Sequence, residues 1–208
     1  MGVKRPLDEI MDNKNKVAIL RHLVLYPSEI TTGRGLAREL GMNQATCNNA
    51  LNSLHGVGIV TRKIAGRSSI YEVARETAVY EELLEPLFKK ETELPREAIG
   101  MLVKGLELKS IQVFLFGSAA RGTDTPESPT DVLLVVDNGA DKDKVLDKLN
   151  ENTPEAYRRF HTSFNVVLLS EKELAKKTRR NDSFITTVMA EAVRVDLGGE
   201  HDKEAADF

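Results

Sequence analysis

The segment Phe116-Gly117-Ser118-Ala119-Ala120-Arg121-Gly122 has the residue types that hold an anion. Glycine lets the backbone come close to a ligand. A helix that starts at such a glycine turns unpaired N–H groups toward negative charge. The Ser118 hydroxyl can donate to a phosphate oxygen, and Arg121 can neutralise charge or brace an acidic residue. Asp131 follows and can ligate a metal ion. A second set lies earlier: Gln44, Thr46, Asn48, Asn49 and Asn52 within one short stretch. Asn and Gln donate and accept together, which suits an adenine edge in the major groove. Arg62, Lys63 and Arg67 come next and can neutralise backbone phosphates, which gives affinity but little sequence information.

The elements that must position these residues follow from periodicity and caps. Residues 8–26 have Ile10, Val17, Leu20, Val24 and Leu25 at helical spacing, and Pro27 stops the run. Thr32 can cap a short helix that ends at Gly41, and Asn43 can cap a third with Ala50, Leu51 and Leu54 inward. Strands are expected at Ile59–Ile64 and Ser69–Val73 around a turn at Ala65–Ser68. Residues 76–108 read as a helical connector, with a kink or break at Pro86 and a new helix from Pro95. Such an arm either dimerises or packs on its own second module. Further on, Ile111–Phe116, Thr130–Val136 and Phe164–Leu169 read as strands. A helix over Asp141–Asn150 has Val145, Leu146 and Leu149 inward, Ser170 and Glu173 form a capping box, and residues 183–195 add a last helix and a short apolar end.

The order helix, helix, tight turn, helix, hairpin resembles a winged helix-turn-helix. Gly33–Asn43 resembles its first helix and turn, Gln44–Leu54 its recognition helix, and Gly58–Lys63 with Gly66, Arg67 and Tyr71 its wing. The resemblance implies double-stranded DNA as a partner and a homodimer on palindromic sites. A dimerisation or packing unit without DNA contact is the alternative.

The second module resembles the minimal nucleotidyltransferase family, a branch of the DNA polymerase beta-like superfamily. That family has Gly-Ser-x-x-Arg-Gly after a strand, then Ser-Asp-x-Asp entering the next. The match is close over residues 111–136 and extends by element order to 195. It implies that Gly117, Ser118, Arg121 and Gly122 hold a nucleoside triphosphate, with Mg2+ at Asp131. The family's habit of pairing with toxins also implies an antitoxin-like protein partner.

The metal site departs from the family pattern. Two aspartates alternating on a strand share one face and can hold divalent metal together. Here Pro129 or Leu133 stands where the other aspartate belongs, and the former alignment keeps Ser128 as the family serine. The later strand offers Asn165, a weak neutral donor, in place of a third carboxylate. An enzyme moving a nucleotidyl group to a protein or small-molecule hydroxyl is therefore the second reading, and a nucleotide sensor or structural remnant the first.

Composition sets the outer bounds. The chain has 208 residues, 41% hydrophobic and 29% charged, which suits a globular protein with one or two domains. One cysteine, Cys47, excludes a disulfide framework, and four histidines make a structural zinc site unlike this chain. No apolar run approaches the roughly 18 residues of a membrane span, so a cytoplasmic protein is expected. Residues 1–75 carry 11 Lys/Arg against 6 Asp/Glu, and residues 76–208 carry 18 against 26. The basic front is the part that suits nucleic acid. The expected architecture is α+β: a winged helix at 8–75, a connector at 76–108, a nucleotidyltransferase-like mixed sheet flanked by helices at 109–195, and a flexible tail at 196–208.

Overall fold

Side-chain caps start most of the longer helices, at positions the sequence marks. The computed structural model describes residues 4–27, 31–66, 68–107, 110–125 and 127–197. Thr32 opens α3 (Gly33–Glu39), its hydroxyl accepting from the Gly35 N–H at 3.1 Å. Asn43 opens α4 (Gln44–Gly56) by accepting from Ala45 N–H at 2.9 Å. Gly41, with φ +61°, makes the turn between them.

The helix expected over 8–26 is two helices, α1 (Leu7–Ile10) and α2 (Lys14–Leu25). The break is local chemistry. The Asn13 side chain accepts from the N–H groups of Asn15 and Lys16, both at 3.1 Å, and so starts a new helix rather than continuing the old one. Lys16 is buried and ties α1 to α2, donating to the Glu9 carbonyl at 2.7 Å and pairing with Asp12 at 3.1 Å.

Strands β1 (Val60–Ala65) and β2 (Ser68–Val73) pair antiparallel, with Arg62 opposite Tyr71. Ile19, Leu20, Leu36, Cys47, Leu51, Leu54 and Ile59 form the core beneath, joined by Tyr80, Leu84 and Phe88. Burial pushes the Cys47 thiol pKa up, the direction of an inert thiol. Helices α2, α3 and α4 with the two-stranded wing make this the winged helix-turn-helix arrangement.

Tyr80–Leu84 is a π-helical turn just before Pro86. Beyond it α5 (Glu85–Leu102) includes Pro95, so no new helix begins there. An interior proline costs about 3 kcal/mol. Burial of Phe88 on one side of it, and of Ile99 and Leu102 on the other, offsets this at about 1.5–3 kcal/mol per side chain. The chain divides into two units, Met1–Thr92 and Glu93–Phe208, and the division falls inside α5.

In the second unit β3 (Ile111–Phe116) leads into α6 (Gly117–Arg121), and β4 (Thr130–Val136) follows. Then come α7 (Lys142–Phe160), β5 (Phe164–Ser170), α8 (Glu171–Arg179), α9 (Ser183–Glu191) and β6 (Val193–Arg194). The sheet order is β5-β4-β3-β6, parallel between β4 and β5 and antiparallel elsewhere. Central β4 is buried on both faces, hence its continuous apolar run. Val132, Leu134 and Val136 pack with Ile99, Leu102, Val145 and Leu149. Leu133 and Val135 pack with Phe116, Ile185 and Val188.

Helix α7 passes the end expected at Asn150 and continues through Pro154 to Phe160. Its later part has its own anchors. Ala156 is fully buried, and the Asn152 amide donates to the Leu102 and Lys104 carbonyls at 2.9 and 2.8 Å. The Leu102 carbonyl is among the last four of α5, which have no partner within the helix. Leu146, expected inward, is 41% exposed. Of the tail, residues 198–208 lie outside the described residues. Among the described residues no helix is long and apolar enough to cross a membrane.

The Ser170–Glu173 capping box is complete. Glu173 accepts from Ser170 N–H at 2.7 Å and also pairs with Lys142. Lys142 first, and Ser170 N–H next, hold its carboxyl at about 2 against an ordinary 4.5. The fold thus favours the ionised form. That stabilisation is complete above about pH 4.5 and fades as pH falls toward 2. Glu173→Gln should flatten this part of the stability curve in acid-unfolding measurements, and an unchanged curve would contradict the assignment.

Candidate functional site

Two polar sites emerge, one in each unit. The first is a cleft of about 550 Å³ between the start of α3, one stripe of α4, and the wing. Gly33 sets its floor. A β-carbon there would lie 2.7 Å from Asn48 Oδ1 and 3.5 Å from both Leu51 and Tyr71, so a larger residue would push the Asn48 amide from its place.

Gln44, Asn48 and Asn52 recur every four residues and line the cleft together. Arg62 faces it from the wing, its Nε donating to Ser69 Oγ at 2.8 Å. Arg34, on the first turn of α3, completes the basic lining. No carboxylate is among the described lining residues.

The structure does not bring every expected residue here. Thr46 and Asn49 are exposed on α4 but outside the cleft. Lys63 alternates with Arg62 and so points to the other face of the wing, where its ammonium bonds Glu72 at 2.8 Å. That alternation places Arg62 and Lys63 on opposite faces of the wing. Arg67 lies outside the described residues. Sequence reasoning passed over Arg34, though its place in the first turn after the Thr32 cap was a usable signal.

The second site is the exit from β3. Gly117 has φ +73°, and a β-carbon there would lie 2.2 Å from Asp131 Oδ2. Asp131 pairs in register with Phe116 on β3 and Asn165 on β5. Its Oδ1 accepts from the Asn165 amide at 2.9 Å. Gly122, with φ +66°, ends α6 in the left-handed region.

The groups expected to take phosphate already hold a carboxylate. Gly117 N–H donates to Glu191 Oε1 at 3.0 Å, and Arg121 Nη1 donates to Glu191 Oε2 at 2.5 Å. Arg121, then Gly117 N–H, keep the Glu191 carboxyl below the usual range. Nothing in the sequence pointed to Glu191, which lies 70 positions beyond Arg121. The Ser118 hydroxyl makes no hydrogen bond among the described residues.

These donors do not fit a pair of divalent metal ions. Positions 129, 131 and 133 alternate onto one face. Pro129 has no ligand atom, and Leu133 is fully buried against Phe116 and Ile185. The neighbouring strand supplies an amide that donates to Asp131 instead of a third carboxylate. Among the described residues no group of three or more acids, histidines or cysteines is arranged for a metal.

Residues 101–196 match the family model described as nucleotidyltransferase domain. No curated protein matches the chain. Several solved structures are similar to parts of it. HlyU from Vibrio cholerae N16961 is 18% identical with a TM-score of 0.37, over 43% of this chain and 91% of HlyU. The Mycobacterium bovis protein Mb0332, a homodimeric winged helix-turn-helix DNA-binding domain, is 20% identical with a TM-score of 0.34, over 46% and 81%. MepR, a transcription regulator of a Staphylococcus aureus multidrug efflux pump, is 13% identical with a TM-score of 0.38, over 51% and 81%.

Gly117→Ala should destabilise the protein by about 2 kcal/mol or more, since it adds backbone strain and a clash with Asp131. Ser118→Ala should stay within about 0.5 kcal/mol. Urea unfolding of the two variants checks the contrast, and equal effects would remove the packing argument.

Proposed function

We propose that this chain is a DNA-binding regulator whose second unit is a nucleotidyltransferase-like domain without metal-dependent transfer. The observation that carries the first part is the cleft. Two guanidinium groups, three side-chain amides and several hydroxyls converge there with no carboxylate among the described lining residues. This happens in a chain whose formal net charge is -3. Guanidinium groups suit phosphates, and a stripe of amides suits base edges. The second part is supported by the site after β3, where Asp131 is the sole acid on its strand face and is bonded to Asn165.

In this reading Arg34 and Arg62 grip the backbone, and Gln44, Asn48 and Asn52 meet base edges. Lys63 is already occupied by Glu72 on the other face and contributes little.

Titration of labelled duplex DNA at several salt concentrations tests this. Arg34→Ala or Arg62→Ala should each reduce the slope of log K against log salt by about 0.9. Lys63→Ala should change the slope less than Arg62→Ala does. Equal slopes in all the proteins would put DNA contact elsewhere or nowhere on this face.

A further inference from the structure

Strand β5 stands at one end of the sheet order β5-β4-β3-β6. Its seven residues, Phe164-Asn165-Val166-Val167-Leu168-Leu169-Ser170, include no charge and no proline. Charge, proline and short length are what keep an edge strand from pairing, and this edge has none of them.

The direction of its backbone groups follows from one bond. Thr130 N–H donates to the Ser163 carbonyl at 2.8 Å. Strand residues alternate, so Asn165, Val167 and Leu169 turn their N–H and C=O groups to β4 as Ser163 does. Phe164, Val166, Leu168 and Ser170 turn theirs outward. Glu173 takes the Ser170 N–H. Among the described residues no hydrogen bond reaches the outward groups of Phe164, Val166 and Leu168.

Helix α7 extends the same surface. Nine of its 19 residues are charged, yet Leu146, Asn150, Thr153 and Tyr157 form one uncharged side at spacings of three and four. Leu146 is 41% exposed and Tyr157 55%. This side points away from α5, whose end meets α7 at Asn152 and Lys148. Arg96 of α5 bonds the Asp196 carbonyl at 2.6 Å, beside β6. The uncharged side of α7 therefore flanks the opposite edge, that of β5.

Unpaired strand groups are matched in full only by another strand. The charges at the two ends of β5 select which one. The basic last turn of α7, with Arg158 and Arg159, precedes β5, and the acidic first turn of α8, with Glu171 and Glu173, follows it. A second β5 running antiparallel brings each basic end to an acidic one, whereas a parallel one sets like against like.

We infer that β5 pairs antiparallel with β5 of a second copy of this chain, about a two-fold axis at Val166, while the two α7 helices cover Leu146 and Tyr157. This register matches the three open residues with one another, Phe164 with Leu168 and Val166 with its own copy. Two four-stranded sheets become one. The inference does not rest on DNA binding, because it concerns only the second unit.

Light scattering and sedimentation of the full chain without DNA test this. The parent protein should form dimers. Val166→Pro removes an outward N–H and no bond to β4, and should weaken association about tenfold or more. The double variant Leu146→Lys/Tyr157→Lys changes only exposed side chains and should also weaken it. It carries the test if circular dichroism shows that the proline variant is unfolded. Association through the first unit would be untouched by either change, so unchanged association in the folded variants would overturn the inference. A parent protein that stays monomeric would also overturn it, and would leave the edge to a strand of another protein.

Discussion

Gly117 is the constraint on which the second unit turns. The chain leaves β3 there with φ +73°, and an Asp131 oxygen occupies the space a β-carbon would need. Because Phe116 is paired with Asp131, and Asp131 with Asn165, this close approach fixes three strand positions at once. It also aims the Gly117 N–H outward to Glu191. A residue with a side chain would move the start of α6, and with it Arg121. The donor pair, the lone carboxylate and its amide partner are thus one arrangement set by the absence of one carbon atom.

Much of this was legible in the sequence because the signals are local. Thr32, Asn43 and Ser170 with Glu173 cap helices where their types and spacing say they should. The apolar run of β4 announces a strand buried on both faces. Even the separation of Arg62 from Lys63 follows from the two-residue period of a strand. The misreadings share a cause: a local rule outweighed by distant packing. Pro95 reads as a boundary and the helix from Asp141 as ending at Asn150, yet Ile99, Leu102 and Ala156 are buried beyond those points and hold the helices together. Asn13 erred the other way, as a cap hidden within an apolar period. Glu191 was invisible, since one acid among 32 gives no signal until the fold brings it to Arg121.

The polar groups after β3 are balanced without any metal charge. A cluster of three carboxylates repels itself and needs cations to be stable. Here the neighbouring strand offers an amide, which donates to Asp131 rather than repelling it. The flanking strand positions are Pro129 and Leu133, and Leu133 helps build the core with Ile185 and Val188. Glu191 in turn is matched by Arg121. Each acid has its own neutral or cationic partner. Asn165 gives Asp131 a neutral partner, and Leu133 helps this end of the sheet close on itself.

The two polar sites therefore differ in what they leave unsatisfied. After β3, the Gly117 N–H and one N–H of the Arg121 guanidinium are held by the chain's own Glu191 carboxylate. In the cleft of the first unit, Arg62 bonds Ser69 through Nε alone, and three amides stand in a row facing the same space. A guanidinium has five N–H donors in a fixed fork, so most of its bonding capacity there remains directed at solvent. Groups kept open at the cost of internal bonds are the ones available to a partner. In the cleft, guanidinium and amide groups face one space with no carboxylate among its described lining, whereas after β3 the Gly117 N–H and Arg121 meet the chain's own Glu191.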